Sequence, residues 1–201
     1  MGLAAQLDAC VLQGGVALFP ADGLYGLACD PSDAAAIARI HEIKGRDDGK
    51  PSAVMFFSPL AMRELISTVG PRTRAAFAAL LPGPVTLVLD NPAGLYPLAC
   101  REDTSRLGVR LIDGPLAGAA AAIFQTSANR SGEPAPSRFE DIDPAIVAAA
   151  DVVLDGGELT GMPSTVIDIT AIEDGGEPAI LREGALSSAE TLRLLEPARW
   201  S

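Results

Sequence analysis

Aromatic residues make up only 4% of this 201-residue chain, so its interior must be built largely from Ala, Val, Leu and Ile. A single histidine, His41, excludes a His-rich metal site, and no HExxH motif occurs. Cys10, Cys29 and Cys100 are odd in number and form no CxxC pair. That excludes a zinc ribbon and argues against a disulfide framework, and small core thiols in a reducing compartment are expected instead. No metal site of the protein's own is expected. No apolar run approaches the roughly 20 residues of a membrane span. The start, Met1 to Asp8, lacks the basic region of a signal peptide. The expected location is the cytoplasm, with no membrane partner. Walker A and GxGxxG patterns are also absent.

Positive charge is scarce overall, with 15 basic against 26 acidic residues and a net charge of -11. The shortage is uneven. Residues 1–139 hold 12 basic and 13 acidic residues, net -1, and residues 140–201 hold 3 and 13, net -10. An extended nucleic-acid footprint needs several spread cations, so it is not expected. A small phosphate-bearing ligand bound by the front section is compatible with this balance.

What is present is an alternation of strand and helix patterns. Short apolar or β-branched runs at 16–19, 24–29, 52–57, 85–89, 107–112, 123–126, 152–154, 166–169 and 179–181 read as strands. Helices are expected over 3–12, 34–44, 59–67, 71–81, 115–122, 141–150 and 187–195, with an N-cap within Asp30-Pro31-Ser32-Asp33. Several consecutive strands have no helix between them. The class is therefore α/β with a mixed sheet, in one domain spanning 1–201. Residues 90–105 form the longest irregular stretch and read as a loop able to move.

Five segments could carry chemistry. Lys44-Gly45-Arg46-Asp47-Asp48-Gly49-Lys50 contains both lysines of the chain, three residues after His41. Two cations on a glycine-containing loop suit an anionic ligand, or else a solvated turn. Thr126-Ser127-Ala128-Asn129-Arg130-Ser131-Gly132 follows an apolar strand, and strand ends are where α/β proteins bind ligands. Its residues also suit a self-satisfied turn. Pro163-Ser164-Thr165 places two hydroxyls before a strand, and Arg182 stands at a strand end. Arg110 lies inside an apolar strand, where a charge needs a partner or a ligand. No nucleophile elbow or triad is present. Such an inventory orients substrates and neutralises phosphate charge without covalent catalysis.

The order of these segments resembles a known family. Pro20-Ala21-Asp22-Gly23-Leu24-Tyr25-Gly26-Leu27-Ala28-Cys29-Asp30 is similar to the opening motif of the YrdC-like family, the threonylcarbamoyl-AMP synthases. Lys44-Gly45-Arg46, Leu81-Pro82-Gly83-Pro84-Val85-Thr86-Leu87, Val109-Arg110, Thr126 to Gly132, Pro163-Ser164-Thr165 and Arg182-Glu183-Gly184 follow in the family's order, over about residues 10–186. The resemblance implies a twisted mixed sheet with helices packed around it and a concave groove on one side. It also implies a reaction of L-threonine, bicarbonate and ATP, the last with Mg2+, giving threonylcarbamoyl-adenylate for modification of tRNA adenosine 37. Proteins of tRNA modification would then be partners. By the same resemblance Lys44, Arg46, Ser127 and Asn129 form the catalytic cluster. Arg46, Lys50, Ser137, Ser164, Thr165 and Arg182 hold the nucleotide. Asp22, Tyr25, Arg110 and Ser127 meet the amino acid.

The sequence departs from the family at Ala21 and Gly23, where threonines are usual, at Asp47, where proline is usual, and near Met55, where many members carry histidine. The losses at 21, 23 and 55 fall on the amino-acid side of the groove. Two other readings stay open on sequence alone. One is a paralogue that keeps the nucleotide groove but takes another acceptor. The other is a non-catalytic module for double-stranded RNA.

Overall fold

The alternating apolar runs assemble into one nine-stranded mixed sheet. The computed structural model describes residues 2–45 and 51–196. In chain order it contains α1 Leu3–Leu12, β1 Ala17–Pro20, β2 Tyr25–Cys29, α2 Ala34–Ile43, β3 Ala53–Phe56, α3 Arg63–Thr68, α4 Pro71–Leu80 and β4 Val85–Asp90. Then follow α5 Pro97–Cys100, β5 Arg106–Leu111, β6 Ile123–Ser127, α6 Pro144–Ala149, β7 Val152–Val153, β8 Thr165–Asp168, β9 Ala179–Arg182 and α7 Ser188–Leu195. The spatial order is β7-β1-β2-β6-β3-β5-β4-β8-β9. The pairs β1–β7, β3–β5 and β4–β8 are parallel, and the other neighbours are antiparallel.

The period of two along each strand separates two faces. One face presents Leu18, Leu27, Phe124, Val54, Val109, Leu87 and Ile167, all fully buried. They pack with Ile37 and Ile40 of α2, Leu65 of α3, Phe77 of α4, Ile146 of α6 and Leu195 of α7. Full burial stabilises each such side chain by about 1.5–3 kcal/mol. On the opposite face, only part of the sheet is covered. Ala17, Phe19, Ala28, Met55 and Ile123 lie under Leu7, Cys10 and Val11 of α1 and under Leu116 and Ala119. Further across that face, toward β8, stand Ala53, Gly108, Arg110, Thr86 and Val166, and there a cavity opens.

Local chemistry explains most element ends. Asp33 caps α2, accepting from the N–H groups of Ala35 and Ala36 at 2.9 and 3.0 Å. Ser187 caps α7 by accepting from Glu190 N–H at 3.3 Å. The expected helix at 115–122 is not formed. Gly114 and Gly118 adopt φ of 111° and 87°, which bends the segment into turns, and Asp8 accepts from the freed N–H groups of Ala120 and Ala121. Over 59–67 the helix is confined to Arg63–Thr68. Over 141–150 it begins only at Pro144, with Asp143 as its cap. The stretch 90–105 is organised around buried Asn91. Its amide donates to the carbonyls of Leu95 and Thr104, and its oxygen accepts from Leu95 N–H.

Candidate functional site

The uncovered part of the sheet is the floor of a cavity of about 980 Å³, at the upper end of the range for ligand clefts. Its floor follows from strand alternation. On β5, Arg106, Gly108 and Arg110 face the cavity while Leu107 and Val109 face the core. On β4, Thr86 and Val88 face it and Val85 and Leu87 do not.

At one end, Lys44 leaves the C-terminus of α2 and its ammonium meets the loop after β6. Nζ donates to the carbonyls of Ser127 and Asn129 at 2.5 and 2.9 Å and to Asn129 Oδ1 at 3.3 Å. Ser127 Oγ donates to the same Oδ1. The Asn129 amide donates to the carbonyls of Arg130 and Glu133 at 2.9 and 2.6 Å, which closes the loop into a turn. Thus Lys44 forms one hydrogen-bonded cluster with Ser127 and Asn129, which lie 83 and 85 residues away in sequence. Arg130 is turned away, with Nε on the Asp143 carboxylate at 2.5 Å. Arg46, Lys50 and Asp47 lie outside the described residues.

Arg110 rises from the floor and is only 6% exposed. Nη1 donates to the Ala21 carbonyl at 3.4 Å and to Gln125 Oε1 at 3.3 Å, and Nη2 donates to Asp22 Oδ2 at 3.3 Å. Nε is buried without a partner. Burial pushes the guanidinium down to about 10, Asp22 partly offsets this, and nearby Arg182 adds to it. Asp22 is held in a left-handed conformation, with φ of 78°.

A third polar group lines the far wall. Arg182 donates through Nε and Nη2 to the Ser164 carbonyl, at 3.2 and 2.8 Å, and through Nη2 to Ser164 Oγ at 3.1 Å. Ser164 Oγ is 2.8 Å from Thr86 Oγ1. Partial burial lowers the Arg182 pKa.

Three expected contacts are placed differently. Thr165 is fully buried and faces away from the cavity. Its hydroxyl donates to the Leu186 carbonyl at 2.5 Å and accepts from the N–H groups of Gly184 and Leu186. It therefore fastens the segment after β9. Ser137 is absent from the cavity lining, and its carbonyl accepts from Leu159 N–H at 2.8 Å. Tyr25 borders the cavity, but its side chain is fully buried. The phenol contacts Asp155 Oδ1 and the Gly157 carbonyl at 2.9 and 2.8 Å and accepts from Gly156 N–H. Burial raises its pKa, and the Gly157 N–H bond holds the Asp155 carboxyl below its usual range.

Gln125 lies outside the motifs, and Thr86 lies within Leu81–Leu87 with no role assigned to it, yet both line the cavity. Their signal is a polar residue at the alternate position of an apolar strand, between Val85 and Leu87 and after Phe124. The departure at Gly23 has a local cause. Gly161 N–H donates to the Gly23 carbonyl at 2.9 Å, and a Cβ on Gly23 would lie 2.0 Å from the Met162 carbonyl oxygen. The strap 160–163 occupies the room that a larger residue would need.

A family model described as "Telomere recombination", for Sua5, YciO and YrdC proteins, matches residues 9–184. The chain is 34% identical over 182 residues to the threonylcarbamoyl-AMP synthase of Xanthomonas euvesicatoria pv. vesicatoria (strain 85-10), covering 87% of this chain and 94% of that relative. Among solved structures, it is similar to Pyrococcus abyssi Sua5 complexed with L-threonine, with a TM-score of 0.81 and 25% identity over 96% of this chain. It spans 57% of the length of that protein. Escherichia coli YciO matches with a TM-score of 0.78 and 26% identity, over 94% of this chain and 92% of that one.

Proposed function

The chain belongs to the Sua5/YciO/YrdC family, and from that premise we propose that it is a threonylcarbamoyl-AMP synthase. It joins L-threonine, bicarbonate and ATP into threonylcarbamoyl-adenylate, releasing pyrophosphate and water. The product feeds modification of adenosine 37 in tRNA, with other tRNA-modification proteins as partners and the cytoplasm as location. The class is nucleotidyl transfer. The observation that carries this reading is the convergence on one cavity of the Lys44–Ser127–Asn129 cluster, Arg110 and the Arg182–Ser164–Thr86 chain.

The residues suit a reaction without an enzyme nucleophile. Threonine's amine forms a C–N bond to CO2 derived from bicarbonate and loses a proton, giving a carbamate. A carbamate oxygen then attacks the α-phosphorus, and the bond to pyrophosphate breaks. Lys44 supplies fixed positive charge where the phosphates and the carbamate meet, and the Ser127 and Asn129 loop is shaped around it. Arg46 and Lys50 are assigned to the same anions by resemblance. Arg182 and Ser164 hold the nucleotide, and Arg110 holds the amino-acid carboxylate. Holding both reactants supplies the orientation that carbamate attack requires. Among the described residues no group of three or more His, Cys, Asp or Glu could hold a metal ion. Mg2+ would enter with ATP as part of the substrate.

The test is pyrophosphate release from ATP, measured with and without L-threonine and bicarbonate. Release should require both. Release that proceeds equally without threonine, or no release at all, refutes the assignment. Release supported only by another amino acid transfers it to a paralogue.

A further inference from the structure

Gln125 is a polar side chain on the cavity floor with no role in the reaction above. It stands half-buried on β6, level with Ala53 of β3. Ala53 lies beside Gly108 of β5, because Val54 pairs with Val109. These two small residues leave a low platform between Gln125 and the taller Arg110 and Thr86.

A donor count fixes how Gln125 is turned. Arginine only donates, and Arg110 Nη1 points at Gln125 Oε1 from 3.3 Å. The amide oxygen therefore faces Arg110, and the NH2 group is left for the cavity. No acceptor for that NH2 stands within hydrogen-bond distance among the described residues. Across the platform, Arg182 donates to Ser164 Oγ, and the Ser164 and Thr86 hydroxyls share one proton between them. One hydroxyl proton remains for a ligand. Beside the platform stands the Arg110 guanidinium, whose Nε is buried and unpartnered. Three acceptors nearby, Asp22 Oδ2, the Ala21 carbonyl and Gln125 Oε1, are engaged by Arg110. The platform thus offers protons and positive charge. An ionised carboxylate is the one group of an amino acid that only accepts hydrogen bonds.

We infer that Gln125 is a substrate-positioning residue whose NH2 group binds the carboxylate of the amino-acid substrate, with Arg110 supplying the charge beside it. This rests on the proposed function, which puts an amino acid at this end of the cavity.

Two variants test it, Gln125→Ala and Gln125→Glu. Loss of a hydrogen bond to a charged group corresponds to roughly a tenfold or greater rise in the KM for L-threonine in the Ala variant. The Glu variant should lose more, because its carboxylate repels that of the substrate. The Glu variant should nevertheless melt no lower than the parent, since it pairs with Arg110. The KM for ATP should stay within twofold in both. A purely structural role gives another pattern, in which Glu preserves threonine affinity because it preserves the contact with Arg110. Calorimetry with L-threoninamide, which lacks the carboxylate, supplies a second readout, and its affinity should not respond to either change. Threonine affinity within twofold of the parent in both variants overturns the inference and leaves the proposed function standing. Absence of any amino-acid binding to the parent protein overturns both.

Discussion

Gly23→Ala probes whether one wall of the cavity depends on backbone meeting backbone. A Cβ on Gly23 would lie 2.0 Å from the Met162 carbonyl oxygen, 3.0 Å from its carbon and 2.8 Å from Thr160 Oγ1. Carbon–oxygen contacts ordinarily begin near about 3.3 Å. The Thr160 hydroxyl can rotate aside, but the carbonyl cannot, so the strap 160–163 must retreat by more than about 1 Å to relieve the contact. Retreat breaks the 2.9 Å hydrogen bond from Gly161 N–H to the Gly23 carbonyl. Overpacking costs about 1–3 kcal/mol and the lost bond about 1 more. A total of about 2–4 kcal/mol lowers the Tm of a chain this size by roughly 5–10 °C. The strap runs into Ser164, the acceptor of Arg182, so the KM for ATP should rise as well. Urea unfolding measures the first effect, as a lower midpoint at unchanged slope. A midpoint equal to that of the parent would mean that the strap yields freely, and would refute the reasoning.

Gly108→Ala should behave oppositely. Its Cβ meets Ala53 and Thr86 at ordinary distances of 3.6 to 3.8 Å, so thermal melts should show no loss. The raised floor should weaken threonine binding in a calorimetric titration. Thr165→Val should cost about 1–3 kcal/mol in urea unfolding, through lost bonds to Gly184 and Leu186, and leave ATP affinity unchanged. Ser164→Ala should instead raise the KM for ATP with a smaller effect on stability. Arg39 and the Val16 N–H hold the Asp151 carboxyl below its ordinary 3.8. Its contribution is therefore complete above that range and is lost as pH falls through the lowered value. Asp151→Asn should flatten the acid limb of the stability curve, read from urea midpoints between pH 5 and pH 2.

The strands were legible because an α/β sheet writes its burial directly into the chain. Residues 85–89 and 107–112 carry apolar side chains at alternate positions, and those positions proved to be the core face. The helix expected at 115–122 failed for an equally local reason. Its alanines favour helix, but Gly114, Pro115 and Gly118 favour turns, and the Asp8 carboxylate offers the backbone a partner. That partner is distant in sequence and could not be read from the segment. The cavity's polar clusters were legible as motifs, but their roles were unequal. Ser164 and Thr165 are adjacent, yet alternation sends them to opposite sides of the sheet, one to the cavity and one to the anchoring of the chain after β9.

The sequence by itself determined the class of fold, the mixed character of the sheet and the separation of a nearly neutral front section from an acidic back section. These depend on composition and on periods of two and 3.6, which are local properties. Tertiary structure alone decided which polar residues meet. Lys44 joins Ser127 and Asn129, and Arg110 joins Asp22 and Gln125, across separations of 15 to 88 residues. Strand order sets those encounters, because β6 lies between β2 and β3, and β3 lies between β6 and β5. A hydrogen bond is decided over about 3 Å, and only the folded sheet brings such residues that close.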